Sequence, residues 1–294
     1  MEQRVIKDCH VHCYPDEVVR DPVTWAQSRN EQHWENLVTT GPQGWAGPED
    51  LLRAMDRDGI EQVLLQAWYW ENPESCNMQN EWHADWISRY PGRFIACAAI
   101  HPEMQHPVAE LEAAKSWGAC AVGECLPCLQ TEAGWAHESW QGILNWTTDA
   151  GWPVAMHVTE PVGHDYPGRV ETPLMELVEL FENHPGQKWL CAHWGGGLPF
   201  YSLNKRVHKA IGNVWFDSAA GPLLYDSRIW KTACDAVGPE RILFGSDFPL
   251  LLYPRVSREP GWSRIIQELM GSGLGNDAIE QICSRNWDQL FTPA

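Results

Sequence analysis

Residue types that bind metal ions recur along this chain, each at the end of a short apolar run. His10 and His12 close Val5 to His12, His157 closes Pro153 to His157, His193 closes Trp189 to His193, and Asp247 closes Ile242 to Asp247. Side chains alternate across a β-strand, so the two imidazoles of His10-Val11-His12 point the same way and can grip one ion. Glu124 ends a further run, Ala121-Val122-Gly123-Glu124. Its carboxylate can complete a one-ion site, bridge two ions, or hydrogen-bond a ligand from behind. A divalent ion held by His10, His12, His157 and Asp247 keeps a position for water and lowers that water's pKa towards about 7. Asp247 can take the proton and later deliver one to a leaving group, while His193 polarises a carbonyl or holds the attacking oxygen. Zinc suits this mixed nitrogen and oxygen set, and manganese or iron also fits it. Taken singly, a histidine at a strand end is usually a hydrogen-bonded structural residue, and Asp247 would serve as a turn cap. Their joint position at strand ends carries the metal reading.

The elements that must position these groups alternate regularly. Strands are expected at Val5 to His12, Gln62 to Trp68, Phe94 to His101, Ala119 to Glu124, Pro153 to His157, Trp189 to His193, Val214 to Asp217 and Ile242 to Asp247, with helices between them. Near-continuous apolar strands separated by helices predict a parallel sheet, and eight such units predict an α/β fold closed into one (β/α)8 TIM barrel over 1–294. In that barrel the active site lies at the C-terminal ends of the strands, where the candidate ligands fall. The polar, Trp-containing stretch from Asp16 to Gly47 is too long for an ordinary connection, and its position after the first strand suggests a lid over the barrel mouth.

Composition narrows the partners. A formal net charge of -18 argues against a phosphate-coating surface, so nucleic acid and anionic membranes are not expected. No apolar run approaches the roughly 20 residues that span a bilayer, and Met1-Glu2-Gln3-Arg4 leads into a strand without a signal-peptide core, so a soluble cytoplasmic location is expected. A homo-oligomer is compatible with the sequence. The 10 cysteines are too few for a disulfide scaffold of this length and read as buried thiols. Cys125-Leu126-Pro127-Cys128 has the spacing of redox and zinc sites but lacks a second pair and a thioredoxin-like setting.

On these residues the chain resembles the amidohydrolase superfamily, in its amidohydrolase-related branch. The matching pieces are His10-Val11-His12, His157, Cys191-Ala192-His193-Trp194-Gly195-Gly196, Phe244-Gly245-Ser246-Asp247-Phe248-Pro249, and the closing Asn286 to Phe291, in the family's order. Glu124 stands where some members carry a lysine that becomes carbamylated, which argues against a carbamate-bridged pair of ions. The resemblance implies a small-molecule substrate, and similar members include lactonases, amide hydrolases and nonoxidative decarboxylases.

Together these features lead us to expect a metal-dependent hydrolase of an ester, lactone or amide. A nonoxidative decarboxylase is the alternative, and a catalytically silent metabolite-binding barrel a second one. Substrate preference would come from the loops after the strands. His164, Tyr166 and Arg169 on the loop after the fifth strand, and Trp68 after the second, are the candidate substrate contacts. Arg169 can pair with a substrate carboxylate or with Glu160 or Asp165.

Overall fold

The structure, a computed structural model, describes residues 4–291. Met1 to Gln3, on which part of the expectation about the leading segment falls, lie outside the described residues. Eight parallel strands, β1 (Lys7–Val11), β2 (Gln62–Leu65), β3 (Phe94–Ala98), β4 (Ala121–Cys125), β5 (Val154–Met156), β6 (Trp189–Cys191), β7 (Val214–Asp217) and β8 (Ile242–Leu243), pair in sequence order. The barrel closes between its last and first strands: the Cys9 amide donates to the Phe244 carbonyl at 2.9 Å and the Asp247 amide to the His10 carbonyl at 2.9 Å. The expected (β/α)8 barrel is therefore the fold.

Each strand contributes one residue to a cluster inside the barrel: Cys9, Leu64, Cys97, Ala121, Ala155, Leu190, Trp215 and Leu243, joined by Trp287, Leu290 and Phe291 of the last helix. This packed plug leaves function to the rim above it. Most of the remaining apolar residues pack between strands and surrounding helices. The helix Pro107–Trp117 stops at Gly118, which sits at φ 104, the left-handed conformation in which helices commonly end.

Two of the eight strands carry a shift in register where a candidate ligand sits. Between Asp8↔Val63 and Val11↔Leu65, β1 has one residue more than its partner; between Val122↔Val154 and Cys125↔Met156, so does β4. A bulge of this kind re-aims the side chains that follow it. Cys9 and His10 are adjacent, yet Cys9 joins the interior cluster while His10 joins the polar cluster at the rim. In β4 the extra residue is Gly123, at φ 124, where an added Cβ would lie 2.3 Å from the Ala155 carbonyl oxygen. Neither the conformation nor the space admits a side chain. Gly123→Ala is expected to lower stability by about 2 kcal/mol or more, read as a fall in the thermal midpoint; an unchanged midpoint would contradict the tight approach.

The segment from Asp16 to Gly47, expected as a lid over the barrel mouth, has regular structure of its own. It forms three helices, Asp16–Arg20, Pro22–Arg29 and Gln32–Thr40. Trp25 and Trp34 are buried, with ring centroids 5.2 and 5.7 Å from that of Trp70. The segment is thus built into the core, and only its last stretch, from Leu37 to Gln43, borders the cavity described below. All 10 cysteines are free thiols, Cys125 buried and Cys128 exposed. No helix among the described residues is long and apolar enough to cross a membrane.

Candidate metal centre

The strand C-termini bring His10, His12, Glu124, His157, His193 and Asp247 together. The Nε2 atoms of His10 and His12 lie 3.3 Å apart. Asp247 Oδ1 is 3.7 Å from the first and 3.5 Å from the second. Glu124 Oε2 is 3.6 Å from His10 Nε2 and 3.7 Å from His12 Nε2. Two atoms bound to one ion at about 2.1 Å, at angles of roughly 90–125°, stand roughly 3.0–3.7 Å apart, so these spacings suit a shared cation. Two triads have ligand atoms within 4.8 Å of one another, His10 with His12 and Asp247, and His10 with Glu124 and His193. His157 lies beside them rather than in either: its Nδ1 is 3.0 Å from Glu124 Oε1 and 3.2 Å from His193 Nε2.

Protonation supports the same use. Burial pushes the His12 imidazole down to about 4, so at neutral pH it keeps a lone pair for a ligand bond. Burial would also lower His10, but the carboxylates of Asp217 and Glu124 outweigh it and hold its pKa up. Burial would raise Glu124, and His10 and His157 instead hold it well below the usual carboxylate range. The positive charge that His10 gives these buried carboxylates is one that a divalent cation can supply in its place, releasing the proton.

Asp217 is the functional residue that reading the sequence missed. It ends β7 just as the other candidates end their strands, which was the available signal. Its Oδ2 lies 2.9 Å from His10 Nδ1, fixing that nitrogen as the protonated one and turning Nε2 towards the cluster. Its Oδ1 accepts the backbone amides of His193 at 3.0 Å and Ala219 at 2.9 Å. One carboxylate thus orients two histidines. Asp217→Asn should weaken metal binding about 10–100-fold, the usual scale for such a supporting group; titration of metal-free protein finding unchanged affinity would remove Asp217 from this role.

A second buried carboxylate ties the two closing strands. Asp8 accepts from the His10 and Ser246 amides at 2.9 and 3.1 Å, and also from the Ser246 hydroxyl and the Trp262 indole. Burial lifts its carboxyl to about 6 against these donors. The expected run into Asp247 breaks here: the chain leaves the ladder after Leu243, and Asp247 adopts φ 69, which sets its carboxylate over the histidines. His193 begins a similar departure. Residues His193 to Gly197 all have left-handed φ, and a Cβ on Gly195 or Gly196 would strike Phe216 or the Thr159 carbonyl. His193 Nδ1 meets the Ala219 carbonyl at 3.2 Å, leaving Nε2 for the cluster.

Above the cluster opens a cavity of about 530 Å³. Trp68 stacks on Tyr69 with centroids 4.6 Å apart and meets His12 edge-on at 5.1 Å, so the expected contact at Trp68 lies at the site. His164 and Tyr166 also border the cavity. Arg169 is not among the residues that line it; its guanidinium pairs with Glu171 and donates to the Glu160 carbonyl at 3.1 Å. Among the described residues no Lys or Arg lines the cavity.

A family model described as Amidohydrolase matches residues 7–291. Solved structures share the fold at low identity. A 2,6-dihydroxybenzoate decarboxylase from Rhizobium is 17% identical, with TM-score 0.69, covering 98% of this chain and 99% of that one. A dihydroxybenzoic acid decarboxylase from a Polaromonas species, solved with bound manganese and the inhibitor 2-nitroresorcinol, is 15% identical with TM-score 0.70, covering 98% and 97%. A protein described as a probable 2-pyrone-4,6-dicarboxylic acid hydrolase from Acinetobacter baumannii, with citric acid bound, is 14% identical with TM-score 0.65, covering 97% and 98%.

Proposed function

Because this chain belongs to the amidohydrolase family, we propose that it is a metal-dependent, nonoxidative decarboxylase of a small, ring-bearing carboxylate. The cavity carries this reading: it is mostly apolar and aromatic, and with no Lys or Arg among the described residues on its lining the candidate cation site at its base is where an anion would be held. A carboxylate entering such a space has one place to go, while the rest of the substrate lies against Trp68, Tyr69 and aliphatic groups. The decarboxylases among the structural neighbours favour this reaction over the hydrolysis expected from sequence.

The proposed ligands are His10, His12, His157 and Asp247, with Glu124 closing the set. A divalent ion there would supply a Lewis acid that holds the carboxylate and offsets negative charge on the substrate's oxygens. Zinc suits the donors, and manganese, present in the Polaromonas enzyme, suits them as well. The chain's own work is orientation, exclusion of water and proton transfer. Trp68 and Tyr69 strip water from the carboxylate and hold the ring. The carbon to carboxyl bond breaks, its electron pair stays on carbon, and a proton taken from water and passed on by Asp247 replaces carbon dioxide. His193, fixed by Ala219 and Asp217, holds the substrate's polar substituent or carboxylate oxygen in register.

Hydrolysis of a lactone by the same His and Asp groups is the second reading, favoured by the pyrone dicarboxylate hydrolase among the neighbours. The test is turnover of metal-loaded protein on aromatic carboxylates, lactones and amides. Release of carbon dioxide from a carboxylate is expected. Ring opening or amide cleavage alone would establish the hydrolase instead, and no turnover with tight ligand binding would leave the silent barrel.

A further inference from the structure

The cavity wall holds one carboxylate that the reaction above does not use. Glu160 follows β5 by four residues and is half-buried on the cavity lining. Its own loop and two other rim segments surround it. The hydroxyl of Tyr225, beyond β7, donates to Oε2, and the Val162 amide donates to Oε1 at 3.2 Å. Gly197, in the left-handed turn after β6, backs the same carboxylate so closely that an added Cβ would stand 3.5 Å from Oε2. One donor thus comes from its own loop and one from the segment beyond β7, with Gly197 beside them.

What Glu160 lacks is a cation. Arg169, the nearest basic residue in sequence, gives its guanidinium to Glu171 and to the main-chain carbonyls of Glu160 and Pro161. Among the described residues no Lys, Arg or His forms an ion pair with the Glu160 carboxylate. An oriented acceptor, unneutralised and set in a largely apolar cavity, attracts a hydrogen-bond donor or a cation and repels a second anion. The cavity, about 530 Å³, has the size for a single substituted ring.

Resting on the carboxylate reading above, we infer that Glu160 is a specificity-determining residue: it selects a monocarboxylate bearing a hydroxyl or amino donor away from the reacting carboxylate, and it excludes dicarboxylates. The substrate carboxylate occupies the histidine cluster and the donor substituent meets Glu160. A ring carrying a second carboxylate would set two anions together in a space with no Lys or Arg among its described residues to separate them.

Calorimetric binding to the metal-loaded protein tests this with shape-matched pairs, 3-(aminomethyl)benzoate against isophthalate and 4-(aminomethyl)benzoate against terephthalate. In the better-fitting pair the wild type should favour the amine by about tenfold or more, the scale of one charge-assisted hydrogen bond. Glu160→Gln, nearly isosteric, should narrow that preference to within about threefold, and Glu160→Lys should reverse it, since the preference follows the sign of this one charge. Equal preference in wild type and both variants would overturn the assignment, as would a wild type that favours the dicarboxylates. If no benzoate binds although metal is present, the carboxylate reading fails and this assignment with it; if benzoates bind but the variants change nothing, only the role of Glu160 fails.

Discussion

Asp247→Asn should reduce turnover by roughly two to four orders of magnitude while most of the metal stays bound, the usual range for loss of a general acid or base. The amide keeps an oxygen near His10 and His12, whose Nε2 atoms lie 3.7 and 3.5 Å from Asp247 Oδ1 in the native chain. It cannot deliver a proton. The left-handed turn that presents the side chain is set by backbone contacts, including the Asp247 amide to the His10 carbonyl at 2.9 Å, and these are untouched by the substitution. Metal content by elemental analysis and rate on the substrate decide the matter together. A variant with wild-type metal and a rate within about threefold of wild type would show that the proton comes from elsewhere.

His10→Ala should empty the site, with bound metal falling from about one equivalent to a small fraction of that. His10 belongs to both candidate triads, so its loss breaks each of them. The fold should persist, because the interior cluster and the outer core do not depend on this imidazole. Asp217 loses one partner but keeps the amides of His193 and Ala219, which limits the cost of leaving its carboxylate buried. The native protein should also unfold at a lower temperature after chelation, since an ion bound only by the folded state stabilises it by mass action, and His10→Ala should lose that response. A chelator effect equal in wild type and variant would place the ion elsewhere.

Much of this was legible in the sequence because it depends on local periodicity. Strand alternation put His10 and His12 on one side, and the apolar runs ending in His157 and His193 marked the ends of β5 and β6 to within two residues, whereas Asp247 follows the end of β8 by four. The barrel followed from the repeated alternation. The features that escaped depend on contacts far apart in the chain. The bulges in β1 and β4 arise where two strands pair unequally, and the sequence of one strand does not contain its partner's register. Asp217 ended a correctly placed strand, yet its importance comes from meeting His10, 207 positions away. The helices between Asp16 and Thr40 are short, and their stability comes from burying Trp25 and Trp34 rather than from strong local pattern. Arg169 looked available because its partner, Glu171, lies only two residues on, and proximity in sequence does not say which way two side chains turn.

The central claim is that carbon dioxide leaves from a carboxylate seated at the histidine cluster and that a proton takes its place. The most direct measurement uses metal-loaded protein, a ring carboxylate labelled with ¹³C in the carboxyl group, and deuterated water, followed by nuclear magnetic resonance. The account predicts labelled carbon dioxide and bicarbonate, with one deuteron on the carbon that lost the carboxyl group. A lactone or amide hydrolysed under the same conditions, with the label retained in every carboxylate offered, would contradict it.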